Sequence, residues 1–243
     1  DARKGDTNGD GAASSPQSND WANIKFFAGS MGSFVNAIFN YGGFGYVAPP
    51  SPPPTEIMIE NFDNYSIGSL SGQGDWGAGN PSNQIAVTST TTHNGVNSVM
   101  LSGGSNASTY RNFTQPITES GTLSFWVYYN SLGDQSIGIA DSNGNTVATI
   151  YYDYNNHNCS TSDGNCWVLI GDGDMGNFVR TNIQTTVGVW HFMELEINFS
   201  NHEIRIRQDA GSWSTLVGSN RANFGRIRFD RGYGDVFYDT FIY

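Results

Sequence analysis

The chain has 243 residues, with Lys+Arg 11 against Asp+Glu 22, a formal net charge of -11, 14% charged residues and as large a share, 14%, of aromatics. That balance excludes nucleic acid and anionic membrane surfaces as partners, because both are held by Lys and Arg displacing counterions. The 6 Trp, 12 Tyr and 15 Phe supply the buried area that a wholly disordered chain lacks.

Near the start, Asp6-Thr7-Asn8-Gly9-Asp10-Gly11 places oxygen ligands at alternate positions and a glycine at the sixth, the opening of an EF-hand-type calcium loop. The ligands would be Asp6, Asn8 and Asp10, with Asp20 completing the set because the twelfth loop position is Gln17. A plain Asp/Asn/Gly turn is the alternative. Trp21, Ile24, Phe27, Met31, Phe34, Val35 and Ile38 recur at three- and four-residue steps, which predicts one helix with Asp20 as N-cap and Gly42-Gly43 as its stop. Gly29 and Gly32 weaken that helix by about 1 kcal/mol each. One helix cannot bury its own stripe, so residues 1–47 read as an arm that docks on the rest of the chain or on another copy, the latter giving a homo-polymer such as a layer or filament. With the helix behind it, the stretch from Gly5 to Gly32 resembles one repeat of a dockerin, although the second repeat that cohesin binding needs is not visible.

Residues 48–55 hold five of the eight prolines and predict a stiff polyproline spacer. The body, 56–243, carries eighteen acids against eight arginines, a net -10. It predicts strands at 57–62, 96–101, 123–129, 146–152, 190–199, 203–207, 226–229 and 236–242, each rich in Val, Ile, Tyr and Phe and mostly alternating. Turns of the Asp141-to-Asn145 and Asn201-His202 kind separate them. So many strands with no helical period give an all-β body of two antiparallel sheets, a jelly-roll sandwich. Cys159 and Cys166 fit a disulfide closing a short surface loop, with two free thiols as the alternative. Five Asn-x-Ser/Thr triplets, at Asn64, Asn106, Asn112, Asn158 and Asn198, arise readily by chance in so polar a chain. Neither a signal peptide nor an apolar run of about 20 residues is present, and the expectation is a mature extracellular or cell-surface protein without a membrane span.

The body resembles the concanavalin A-like (laminin-G-like) lectin and glucanase jelly rolls. The likeness rests on Glu60-Asn-Phe-Asp63 with Ile67-Gly-Ser-Leu70, on His93 to Leu101, on Gly121 to Tyr128, on Trp190 to Ile197 and on Phe237 to Ile242. It implies that first and last strands pair, bringing Glu60 or Asp63 near Asp239, where such proteins often hold a structural calcium. The glucanase members carry Glu-x-Asp-x-x-Glu on one strand; the nearest match, Glu194-Leu-Glu196, lacks the third acid and reads as the exposed face of a hairpin. The Gln-x-His of the lyase members is absent, as are a nucleophile elbow, a phosphate loop and a zinc-type His pair.

With no complete catalytic constellation, the expectation is a non-catalytic structural or adhesive surface protein suited to carbohydrate binding. The alternatives are a secreted carbohydrate-binding module of a polysaccharide-degrading system, or a polysaccharide lyase or glucanase. Trp76, Tyr154 and Trp213 are the expected sugar contacts, each with a core position as its alternative. Trp126 and Trp190, lying inside strands, are expected in the core.

Overall fold

The structure, a computed structural model, describes residues 58–80, 84–102, 108–133, 135–153, 159, 165–172, 178–230 and 234–243, all within the unit Thr55–Tyr243. The expected arm with its helix, the calcium loop of Asp6, Asn8, Asp10 and Asp20, the proline spacer and Tyr154 lie outside the described residues.

In chain order the strands are β1 Met58–Glu60, β2 Gly68–Ser69, β3 Trp76–Asn80, β4 Ile85–Thr88, β5 Ser98–Leu101, β6 Ser108–Ile117, β7 Gly121–Ser131 and β8 Ser136–Ala140. They continue as β9 Thr146–Asp153, β10 Cys166–Gly171, β11 Phe178–Arg180, β12 Trp190–Asn198, β13 Glu203–Gln208, β14 Val217–Gly218, β15 Phe224–Asp230 and β16 Asp235–Ile242. They form a two-sheet antiparallel jelly-roll sandwich. One sheet has nine strands in the order β14-β13-β12-β7-β16-β5-β4-β2, with β1 also pairing β16; the other has seven, β11-β10-β9-β8-β15-β6-β3. Among the described residues no helix is long and apolar enough to cross a membrane.

Alternation decides what lies between the sheets. On β7, Leu123, Phe125, Val127 and Tyr129 are buried, and on the neighbouring β12 Met193, Leu195 and Ile197 are buried with them. Each such side chain contributes about 1.5–3 kcal/mol when fully withdrawn from water. β16 would lose this pattern at its end were it not for Thr240, whose φ of 48° breaks the pairing between Asp239 and Ile242. The extra residue lets both Tyr238 and Phe241 face the core while Asp239 faces the other way.

The expected pairing of first and last strands is present: Met58 and Glu60 lie opposite Ile242 and Phe241. The expected calcium at that junction meets a different chemistry. Glu60 is 7% exposed, and its Oε1 accepts the N–H groups of Asn61 and Phe62. Its Oε2 accepts from Tyr65 Oη, Trp76 Nε1 and Arg111 Nη1 at 2.8, 3.1 and 2.8 Å. Asp63 Oδ1 accepts from the N–H groups of Val96 and Asn97, and Asp239 Oδ2 from those of His93 and Asn94. The three carboxylates therefore clasp the 93–97 loop and the sheet junction with N–H donors, and the described residues contain no acid, His or Cys cluster fit for a metal. Gly95 has a φ of 71° and no room for a side chain, since a Cβ would collide with the Asp63 carboxylate. Burial, and after it the hydrogen bond to Glu60, pushes the Tyr65 hydroxyl up to about 12.

Glu60→Ala would strand Arg111, Trp76 Nε1 and the N–H groups of Asn61 and Phe62 at once. The expected loss is about 3–5 kcal/mol of unfolding free energy in urea, with Glu60→Gln losing less. A loss below about 1 kcal/mol, the range of an exposed ion pair, would show that this carboxylate is not a structural centre.

Candidate functional site

Register assigns the outward side chains of the seven-stranded sheet. Ile227 and Phe229 of β15 are buried inward, so Arg226, Arg228 and Asp230 point out. Opposite them on β8 stand Ala140, Gly138 and Ser136, and beyond β8, on β9, Thr149 and Tyr151. On the other flank of β15, β6 contributes Asn112, Tyr110 and Ser108. The middle strand thus presents three small residues between taller walls, a shallow trough running along β8. Arg228 lies across its floor: a Cβ on Gly138 would sit 3.4 Å from Arg228 Nε.

The two walls differ. On one, the Arg226 guanidinium carbon sits 4.6 Å from the Tyr110 ring centroid while Nε donates to Asn112 Oδ1 at 2.6 Å. Arg228 Nε donates to Asp230 Oδ2 at 2.6 Å. Burial pushes Asp230 above the usual carboxylate range, and the adjoining Arg228 charge reduces that rise without cancelling it. On the other wall Tyr151 packs on a satellite cluster of Cys159, Cys166, Val168 and Ile170. The Cys159–Cys166 disulfide, expected from sequence, is formed and ties this wall down. Hydroxyls, an amide, two guanidinium groups and two phenol rings around a small-residue floor suit hydrogen bonding and face-stacking against a polar ring such as a sugar.

Of the tryptophans, Trp76, Trp126 and Trp190 fall elsewhere than expected, whereas Trp213 lines a cleft. Trp76 is core, 2% exposed, stacked on Phe229 at 5.2 Å and tied to Glu60; the Gly-rich run around it reads as a loop, but the residue opens β3. Trp213 is half-buried, with Arg205 and Arg207 guanidinium carbons 4.8 and 4.4 Å from its ring. It lines a polar cleft with Arg180, Thr181, Asn182, Ser212 and Thr215, apart from the trough residues. Arg207 and Arg205 grip Glu194 and Glu196 through paired bonds of 2.6–2.7 and 2.8–3.1 Å, so the two carboxylates of the glucanase near-match are held as ion pairs.

Trp126 and Trp190 are half-buried on the outer face of the nine-stranded sheet rather than in the core. They share their strand parity with Ser124, Glu194 and Glu196, which is the signal that places them outside. With Tyr128, Phe192 and Phe237 they form an aromatic surface on which His93 lies, 3.6 Å from Trp126 and edge-on to Trp190. These rings pack on one another and the imidazole covers Trp126, so the patch is a closed stack and not a platform. Burial holds His93 below the usual histidine range against the opposing pull of Asp239.

The trough residues Tyr110, Arg226, Arg228 and Asp230 are absent from the sequence expectations. Arg226-Ile-Arg-Phe-Asp230 already alternates strictly, so one face of that strand had to be charged; what the sequence withholds is which neighbours stand beside it.

No protein-family model matches the chain, and no curated protein is similar to it. Among solved structures it is similar to a sialidase, with 15% identity and a TM-score of 0.52 over 76% of this chain and 18% of that one. The chain thus matches a small part of the sialidase's length. It is also similar to a double mutant of congerin II, with 16% identity and a TM-score of 0.42 over 57% of this chain and 100% of that one. A glycoside hydrolase family protein from Mycobacterium thermorestibile gives 14% identity and a TM-score of 0.48 over 76% of this chain and 98% of that one. At these identities the likeness concerns the sandwich fold alone.

Because its proton is favoured by the fold, Asp230 contributes stability that is present in full below about pH 4 and is lost as pH rises through its elevated value. Asp230→Asn removes this dependence. Urea denaturation between about pH 4 and pH 7 should show the variant gaining on the parent chain as pH rises; a difference that stays constant with pH would contradict the assignment.

Proposed function

We propose that the body binds carbohydrate, without catalysis, in the trough along β8. The observation that carries this reading is the row Ser136, Gly138 and Ala140 flanked by Tyr110 and Arg228 on one side and Thr149 and Tyr151 on the other. A sugar ring laid along this row, over the Arg228 side chain that crosses Gly138, meets aromatic faces and hydrogen-bonding groups at its rim, the mixture that polar ring ligands require. The absence of catalysis is supported by the two strand carboxylates of β12 being held by arginines.

Membership of the concanavalin A-like superfamily, an extracellular or cell-surface location, and a structural or adhesive role belong to the same proposal. The two-sheet architecture and the disulfide support them. So does the sequence of residues 1–47, whose apolar stripe suits docking or self-assembly and whose Asp6, Asn8, Asp10 and Asp20 suit calcium.

The test is an array of neutral and charged glycans followed by titration calorimetry. Tyr151→Ala is expected to weaken the best binder at least tenfold, about 1.4 kcal/mol, while Trp213→Ala leaves it unchanged. The opposite pattern moves the site to the Trp213 cleft, and no binding to any glycan overturns the proposal.

A further inference from the structure

Six of the seven described arginines face a carboxylate. Arg111 meets Glu60, Arg180 Asp153, Arg205 Glu196, Arg207 Glu194, Arg221 Asp172 and Arg228 Asp230, with nitrogen–oxygen separations of 2.6–3.7 Å. Arg226 is the exception: among the described residues it has neutral partners, Asn112 and the Tyr110 ring. In a body of net charge -10, where acids outnumber bases more than two to one, this is the position at which an internal counter-ion is most conspicuously missing.

The guanidinium is also held in place. Stacking on Tyr110 fixes its plane, the Asn112 oxygen takes Nε–H, and Nη1 lies against Gly144 in the β8–β9 turn, 2.9 Å from where a Cβ would stand. The acid of that turn, Asp141, is engaged elsewhere: its Oδ1 accepts from the N–H groups of Asn143 and Asn145, its Oδ2 from Asn145 Nδ2, and the charge that helps to lower its pKa is that of Arg221. Two residues along β15 on the same face, Arg228 adds a second positive charge, whose partner Asp230 lies farther along the strand. With Nε engaged by an amide, the Nη edge carries the unspent donors. A planar guanidinium presents paired N–H donors that match the oxygens of a carboxylate or sulfate. An arginine stacked on an aromatic ring also loses less side-chain entropy when it binds.

We infer that the trough takes an anionic saccharide, one bearing carboxylate or sulfate groups, and that Arg226 receives the anion. This rests on the trough being the carbohydrate site, and it names the ligand class for that site. Asn112 is a positioning residue, acting through Arg226 Nε.

The experiment titrates the full chain by calorimetry with an oligogalacturonate, a sulfated galactan oligosaccharide and a neutral galactan oligosaccharide, each at two salt concentrations. The parent chain is expected to prefer at least one anionic ligand over the neutral one by about tenfold or more, with the preference shrinking in salt. Arg226→Gln should abolish the preference, lowering anionic affinity by about tenfold more than it lowers neutral affinity. Arg226→Lys, which keeps charge but not the fork, should retain part of it, and Asn112→Ala should lower anionic affinity more than neutral affinity. The uronate and sulfate arms tell which anion is read. Equal affinity of the parent chain for neutral and anionic ligands overturns this inference and leaves the carbohydrate site standing; binding of none of the three overturns this inference, and a blank glycan array overturns the carbohydrate site with it. Equal weakening of all ligands by Arg226→Gln, with an unchanged urea midpoint, makes Arg226 a general contact and also overturns it.

Discussion

Glu60 couples the two sheets. Its backbone belongs to β1, paired to β16 in the nine-stranded sheet, while its carboxylate holds Trp76 of β3 and Arg111 of β6 in the seven-stranded sheet. A buried carboxylate is tolerable only when nearly every lone pair is used, and five donors do so. Because β6 also borders β15, whose outward face carries Arg226 and Arg228, the position of one wall of the trough follows from the way this acid fixes β6.

The same logic explains the neighbouring acids. Asp63 and Asp239 each take two consecutive backbone N–H groups of the 93–97 loop, which would otherwise be unsatisfied beside a sheet face. The loop in turn lays His93 on Trp126. Acid-to-N–H clasps here engage one oxygen of each aspartate, so the acidity of the body is partly taken up by internal hydrogen bonds and partly by arginine pairs.

The architecture was legible because β strands of the jelly roll alternate. The stretches 123–129, 190–199, 203–207 and 236–242 all appear as strands of one sheet, and the Asn201-His202 turn joins β12 to β13 with His202 at φ 57°. Strands of two residues, such as β2 and β14, or of continuous burial, such as β10, carry too little pattern to be read. Site residues were less legible for a reason of register: a trough is made by residues opposite one another on four strands, and the pairing of Gly138 with Arg228 and Thr149 depends on contacts that no local window contains. Trp76 shows the converse. Glycines on both sides made it look exposed, whereas the partner that buries it, Glu60, is sixteen residues away.

Strand β1 lies antiparallel to the far end of β16, with Met58 opposite Ile242; paired strands stand about 5 Å apart. The first and last of the described strands therefore lie side by side. A domain with its two ends side by side is a cassette: it closes a loop between flanking segments at little entropic cost and can be carried in a longer polypeptide without separating its neighbours.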